Sequence, residues 1–111
     1  MITVVLKTDG DGALKSVKAE GHAFFAVKGK DIVCAGVSTL LLTALNYLES
    51  IEGLKITADL SKRGKLAVSV LKSGAEYRDR LKFLADFLRT GLSGLKLTYP
   101  KNVELRENTE Q

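Results

Sequence analysis

The chain of 111 residues has very little of the residues that build disulfides and metal sites: it contains one Cys and one His, with one Pro and no Trp. A single Cys cannot form a disulfide within the chain, and one Cys with one His cannot supply the four ligands of an ordinary structural zinc site. We therefore expect no metal and no cofactor. The scarcity of Pro, together with 27% charged and 45% hydrophobic residues, also excludes collagen, coiled coil and disorder.

The chain also lacks a long apolar run and an export signal. Its longest apolar run, around residues 40–42, is too short to span a bilayer, and residues 1–7 have no basic segment followed by an apolar stretch. We therefore expect a globular protein of the cytoplasm, with no membrane partner, whose only thiol stays reduced. The length suits one domain over residues 1–111 with a buried core.

Hydrophobic spacing in the first two thirds of the chain predicts a hairpin, a helix and a second hairpin. Strands over 2–7 and 14–20 flank a turn in which Asp and Gly alternate. Helical spacing then runs from an N-cap at Asp31 to about Ser50, and apolar residues cover much of that helix's circumference. The second hairpin spans 54–70, and its alternate apolar residues are expected on one side, facing the core.

A second helix follows the second hairpin. Ser73 and Glu76 have the spacing of a capping box, and a buried helical stripe runs from Tyr77 onward. Either Gly91 or Gly94 is expected to end this helix.

The end of the chain predicts one last strand. Apolar residues alternate over 95–99 before the only Pro, and the polar segment from about 102 to 111 is expected to fray. The resulting order, ββαββαβ, predicts an α+β fold: a mainly antiparallel sheet with both helices packed on one face.

The only cysteine lies in the first turn of the predicted long helix. With Asp31 as N-cap, Cys34 is the third helical residue, where unpaired backbone amides and the positive end of the helix dipole stabilise a thiolate. Cysteines in such settings have pKa values of roughly 3.5 to 7.5 rather than about 8.5. A thiolate is a nucleophile, and the same amides could receive the oxyanion of a tetrahedral intermediate.

A thiol enzyme also needs a base, and the single histidine, His22, lies at the other end of the loop that leads into this helix. A loop of about a dozen residues can fold back and bring the two side chains within hydrogen-bond reach. The spacing therefore allows a Cys/His dyad without establishing one. The alternative is a buried structural thiol and a polar His at a strand end.

The segments around these two residues resemble the bacterial ribosomal-processing cysteine protease family. The resemblance rests on residues 20–23, Glu-Gly-His-Ala, on residues 29–35, Gly-Lys-Asp-Ile-Val-Cys-Ala, and on Val37-Ser38. Element order and length extend it over nearly the whole chain. Where the commoner pattern has Ala, this chain has Gly36, which costs about 1 kcal/mol in a helix interior.

The resemblance implies a function and partners. It implies a homodimeric endopeptidase that removes the N-terminal extension of bacterial large-subunit ribosomal protein L27, with Cys34 as nucleophile and His22 as general base. The expected partners are the L27 precursor as substrate, a second copy of the chain, and the ribosome.

Two residues near the dyad each have two interpretations. Asp31 could orient His22 as a third catalytic residue, but a role as N-cap explains it as well. Ser38 lies one turn after Cys34 on the same helix face, so its hydroxyl either lines the site or bonds back to its own helix.

The loop before the helix also has two interpretations. Gly21 and Gly29 could be the hinges of a lid over the thiol, with Phe24 and Phe25 closing on the substrate. The alternative is an ordinary loop whose two aromatic residues pack into the core. As a lid, the loop is expected to block the site until the extended N-terminus of the precursor opens it.

Two other functions stay open at this point. The net charge of +4 and the basic face of the second helix, formed by Arg78, Arg80, Lys82 and Arg89, suit a non-enzymatic ribosome- or RNA-associated module, although the usual RNA-binding signatures are missing. A redox-sensing thiol at Cys34 is the other.

Overall fold

The computed structural model describes residues 1–21, 32–60 and 64–110, and the elements follow one another in the predicted order. The strands are β1 (Ile2–Asp9), β2 (Leu14–Gly21), β3 (Lys55–Asp59), β4 (Lys65–Lys72) and β5 (Val103–Glu110). The helices are α1 (Ile32–Glu49) and α2 (Arg78–Thr98), and a 3₁₀ turn at Ala75–Tyr77 precedes α2. The predicted α+β fold class is confirmed.

The five strands form one sheet in the order β3-β4-β2-β1-β5. The pairs β1–β2, β2–β4 and β3–β4 are antiparallel, and β1–β5 is parallel. Alternate residues of the central strands are buried on one face of the sheet, beneath both helices. They form a single core with the inner stripes of α1 and α2, to which the sheet contributes Ile2, Val4, Leu6, Val17, Ala19, Leu66 and Val68.

The turn between β1 and β2 is fixed by one aspartate. The carboxylate of Asp9 accepts hydrogen bonds from the amides of Asp11 and Ala13, at 2.9 and 3.0 Å. Arg78, at the start of α2, pairs with the same carboxylate at 3.3 Å. Burial raises the pKa of Asp9, but the two amide hydrogen bonds and the Arg78 charge together outweigh burial, so this pKa lies below its usual value.

Helix α1 has the length and apolar composition of a helix that could cross a membrane, contrary to the expectation that no segment of the chain does. Core helices of soluble proteins share both properties. In this structure the inner stripe of α1 packs against the sheet and α2, burying Val33, Val37, Leu41, Ala44, Leu45 and Leu48.

The two helices approach each other through two reciprocal Gly–Leu contacts. A Cβ placed on Gly36 of α1 would lie 3.2 Å from a methyl carbon of Leu95 on α2, and one placed on Gly91 of α2 would lie 3.0 Å from a methyl carbon of Leu40 on α1. Position 36 meets position 95 and position 40 meets position 91, so the two helices run antiparallel, and each glycine gives room to a leucine of the other helix.

The predicted end of the second helix is wrong. Neither Gly91 nor Gly94 ends α2, which continues to Thr98, with Tyr99 as its C-cap. Gly91 serves the contact with Leu40 instead, and the buried stripe goes on beyond it. Residues 95–99, predicted as the last strand, are therefore the last turn and cap of α2.

The predicted frayed tail is also wrong, because residues 103–110 form β5. This strand pairs in parallel with β1 along its whole length, from Ile2–Val103 to Asp9–Glu110. Only Val103 is buried, since β5 is an edge strand and most of its side chains face water. A polar sequence is compatible with such a strand, which is why hydrophobic alternation did not reveal it.

Two smaller predictions also fail. Ser73 and Glu76 do not form a capping box: Gly74 is the N-cap of the 3₁₀ turn, and neither this turn nor α2 has a side-chain cap. In the second hairpin, alternate residues share a face as predicted, but Ala58 and Leu60 are exposed because β3 lies at the sheet edge. Of the turn predicted at 61–64, only Gly64 lies within the described residues.

Candidate active site

Cys34 lies in the first turn of α1, as the spacing predicts, and is half-buried. The amides of a first helical turn have no partners within the helix, and they carry the positive end of the helix dipole. No acidic side chain occurs in the described first turn of α1. Within that turn, therefore, the backbone favours a thiolate and no carboxylate opposes it.

Ser38 lies next to this thiol. Its Oγ is 3.9 Å from the Sγ of Cys34, within hydrogen-bond distance for sulfur, and either atom can be the donor. The hydroxyl therefore lies beside the sulfur, and a role for Ser38 in the site stays a prediction. A hydroxyl that donates to sulfur stabilises the thiolate.

Gly21 ends β2 and is the last described residue before His22. Its φ is +155°, and an added Cβ would lie 2.2 Å from the carbonyl oxygen of Met1, so only glycine fits. Its amide donates to the carbonyl of Gly64 at 3.1 Å. Gly21 is therefore a fixed strand end, and its predicted place in a loop is wrong.

The end of β2 and the start of α1 lie at the same end of the molecule. Gly21 is paired with Ile2, whose amide donates at 2.8 Å to the carbonyl of Asn102, just after α2. The last turns of α2 in turn contact the first turns of α1 through Leu95 and Gly36. The described structure thus brings the residue before His22 and the helix turn that holds Cys34 to one end of the sheet.

The other predicted site residues, His22, Asp31, Phe24, Phe25 and Gly29, lie outside the described residues. The dyad, the cap and the lid therefore stay predictions. Among the residues that the structure does describe, no three His, Cys, Asp or Glu side chains are grouped so that they could hold a metal ion.

The support that α2 gives to the site was not predicted from the sequence. Leu95 packs against Gly36, half a turn after Cys34, and the amide of the C-cap Tyr99 donates to the carbonyl of Leu95 at 2.8 Å. The missed signal is the spacing of Leu88, Leu92 and Leu95, which continues a helical stripe.

The basic face of α2 is partly neutralised by the chain itself. Arg78 pairs with Asp9 and Asp11, and Arg89 pairs with Asp86 at 2.7 Å and with Glu107. The hydrogen bond to Glu107 raises the pKa of Arg89. Two of the four basic side chains of this face therefore have carboxylate partners within the chain, which weakens the argument for an RNA-binding surface.

The α+β fold and a thiol in the first turn of α1 suit a cysteine protease, and this is the class that a match to a known family gives the chain. The family model described as cysteine protease Prp matches residues 1–104. The chain belongs to this family, the ribosomal processing cysteine proteases, and the resemblance seen between His22 and Ser38 is confirmed.

Individual relatives agree with this assignment. The chain is 26% identical over 110 residues to the ribosomal processing cysteine protease Prp of Bacillus subtilis (strain 168), covering 97% of this chain and 98% of that protein. Its fold is similar to that of the essential ribosomal processing protease Prp from S. aureus, solved with a covalently linked product peptide, with a TM-score of 0.80, 23% identity and coverage of 96% and 99%. SMU.848 from Streptococcus mutans gives a TM-score of 0.79 at 27% identity, covering 99% of this chain and 96% of that one.

Proposed function

We propose that this chain is the endopeptidase that removes the N-terminal extension from the precursor of ribosomal protein L27, with Cys34 as nucleophile and His22 as general base. The observation that carries the proposal is the position of Cys34. It lies in the first turn of α1 beside the Ser38 hydroxyl, at the end of the sheet where β2 leads into His22. Membership in a family of ribosomal processing proteases supports the choice of substrate.

The proposed reaction follows from the chemistry of these groups. His22 takes the proton of the Cys34 thiol, and the sulfur attacks the carbonyl carbon of the scissile peptide bond. Amides at the start of α1 hold the resulting oxyanion. His22 then gives its proton to the leaving amine as the C–N bond breaks, and water hydrolyses the thioester to release the new carboxylate and restore the thiol.

Exposed apolar residues at this end suit a polypeptide substrate. Ile32, two residues before Cys34, is 64% exposed, and Leu60, just after β3, is 54% exposed. Asp59, the last residue of β3, pairs with Ala67 near the start of β4, so Leu60 follows the sheet at the end where Gly21 lies. An extended peptide can place apolar side chains against such residues while its carbonyl meets the thiol.

The proposal also includes the compartment in which the protein works and its partners. It works in the cytoplasm, where ribosomal proteins are made and assembled, with the L27 precursor as substrate and a second copy of the chain as partner. Contact with the ribosome is a further part of the proposal, which the net charge of +4 favours.

The test is to incubate the L27 precursor with the wild type and with variants, and to follow cleavage by mass spectrometry. Cys34→Ala should abolish cleavage, and His22→Ala should lower kcat/KM by about 10²–10⁴ because the general base is lost. Ser38→Ala should lower kcat/KM several-fold. Its matched control is Ser50→Ala, which removes a serine hydroxyl just beyond the other end of the same helix.

Two outcomes contradict the proposal. Cleavage that survives Cys34→Ala shows that another group is the nucleophile. A precursor that the wild type leaves intact, combined with salt-dependent binding to ribosomal RNA that Cys34→Ala does not change, points to the non-enzymatic module instead.

A further inference from the structure

The face of the sheet opposite the two helices is open. Both helices pack on the other face, and none of the elements that the structure describes packs on this one. In the middle of the open face the strands form a shallow groove of about 400 Å³. Its lining has two lysines, two serines and an asparagine but no carboxylate: Lys7, Lys18, Ser16, Ser69 and Asn108. The groove is therefore polar, with positive charge only.

A row of polar side chains crosses the open face through this groove, from one edge of the sheet to the other. The strand register places one member on each strand, in the order Asn108, Lys7, Ser16, Ser69 and Thr57. Neighbouring strands lie about 4.8 Å apart, so this polar row is about 19 Å long. None of its five side chains has a hydrogen bond or ion pair with another described residue, which leaves their donors available to a ligand.

Two further cations lie beside the polar row. Lys18 on β2 and Arg106 on β5 are each diagonal to Lys7 in the strand register, a separation of about 7–8 Å. Their carboxylate partners, Glu20 at 3.9 Å and Glu104 at 3.2 Å, lie one row further along the sheet, outside the groove. Such exposed ion pairs are weak, so an anion in the groove can compete for both cations. The middle of this face thus offers three cations to one ligand.

The chemistry of this face suits the phosphates of a nucleic acid. Lysine, arginine, serine, threonine and asparagine side chains are those that proteins direct at phosphate oxygens. A row that crosses the whole sheet matches a chain of phosphates better than one small anion. The five described strands contain no aromatic residue on which a base could stack, so the contacts fall on the backbone and not on the bases.

We propose that the polar row, with Lys18 and Arg106 beside it, binds the phosphate backbone of RNA without reading its sequence. The inference rests on the ribosome contact in the proposed function, and it names the face that makes this contact. The net charge of +4 favours the approach of a polyanion. Because α1 packs on the other face of the sheet, RNA on the open face leaves the thiol accessible to the precursor.

The first test is the affinity for a labelled single-stranded RNA of about 16 nucleotides, measured by fluorescence anisotropy over a salt series. Three phosphate contacts predict a slope of about −2 for the logarithm of the binding constant against that of the salt concentration. The double variant Lys7→Gln/Lys18→Gln should reduce this slope to about −0.7 and weaken binding at low salt at least about fivefold. Both side chains are exposed, so its melting temperature should match that of the wild type. The matched control, Lys82→Gln/Lys96→Gln, removes the same charge from exposed positions of α2 and should bind RNA like the wild type.

The second test is cleavage of the free L27 precursor, which Lys7→Gln/Lys18→Gln should leave at the wild-type rate. A wild type that binds RNA through this face but cleaves no precursor supports the inference while the proposed protease fails. A wild type that does not bind the RNA at low salt overturns the inference, and so does an equal loss of binding in the two double variants. Polyglutamate that competes as well as RNA of equal charge also overturns it, in favour of an acidic protein as the partner.

Discussion

Replacing Gly21 by Ala tests whether the strand end before His22 is held as tightly as the structure indicates. A φ of +155° is a region that only glycine occupies readily, and forcing another residue into it costs about 1–3 kcal/mol. The new Cβ would also lie 2.2 Å from the carbonyl oxygen of Met1 and 2.9 Å from the Cα of Ile2, both backbone atoms that cannot rotate away. The end of β2 must then move, and the hydrogen bond from Gly21 to Gly64 is lost at a cost of about 1 kcal/mol.

The expected loss is therefore about 2–4 kcal/mol, measured as the free energy of unfolding in urea, from a total of about 5–15 kcal/mol for a domain of this kind. Gly12→Ala is the control: Gly12 also has a positive φ, of +91°, but nothing lies within 4 Å of its Cβ position. Gly12→Ala should cost about 1–2 kcal/mol, the backbone strain alone. Equal losses for both variants, or a loss below about 0.5 kcal/mol for Gly21→Ala, would refute the argument from close packing.

Three further predictions follow from other parts of the molecule. Because the folded pKa of Asp9 is lowered, its carboxylate stabilises the fold above the ordinary value of 3.8 and stops doing so as pH falls through the lower folded value. Asp9→Asn should therefore be less stable than the wild type at pH 7, and melting temperatures should converge below about pH 4. Gly36→Ala should change stability by less than about 1 kcal/mol, since better helix propensity offsets the shift it forces on Leu95; a loss above 2 kcal/mol in urea unfolding would mean that Leu95 cannot move. A precursor peptide should protect residues 22–31 from trypsin, and cutting that is as fast with the peptide as without it counts against the lid.

The sequence predicted the elements whose hydrophobic residues repeat with a clear period. The first hairpin, α1 and β4 each bury one side or one stripe, so alternation or helical spacing marks them directly. The position of Cys34 in the first turn of α1 follows from that spacing, and so does the nearness of Ser38 one turn later. Whether His22 meets the thiol depends on the path of the loop, which spacing does not determine.

The end of the chain shows where such reasoning fails. Leu95 and Leu97 alternate with polar residues like a strand, yet Leu95 is packed on Gly36 and Leu97 is 85% exposed. Apolar and polar residues can also alternate over five residues of a helix, when one apolar residue lies on its buried side and the next on its exposed side. The strand at 103–110 is the reverse case: its parallel pairing with β1 lies far away in sequence, and its exposed edge needs few apolar residues.

The reciprocal Gly–Leu contacts explain how residues remote from the thiol can set its position. The backbone of α1 is placed along α2 by Gly36 against Leu95 and by Leu40 against Gly91, two contacts one helical turn apart. Each leucine lies where the other helix has no side chain, so the two contacts favour this register of the helices. The first turn of α1 is part of the same helix, and Asn102, which follows α2, accepts a hydrogen bond from the amide of Ile2 at the end of the sheet. Helix packing thus holds the turn that carries the thiol at the end of the sheet where β2 ends, and Gly36 gives Leu95 room in that packing.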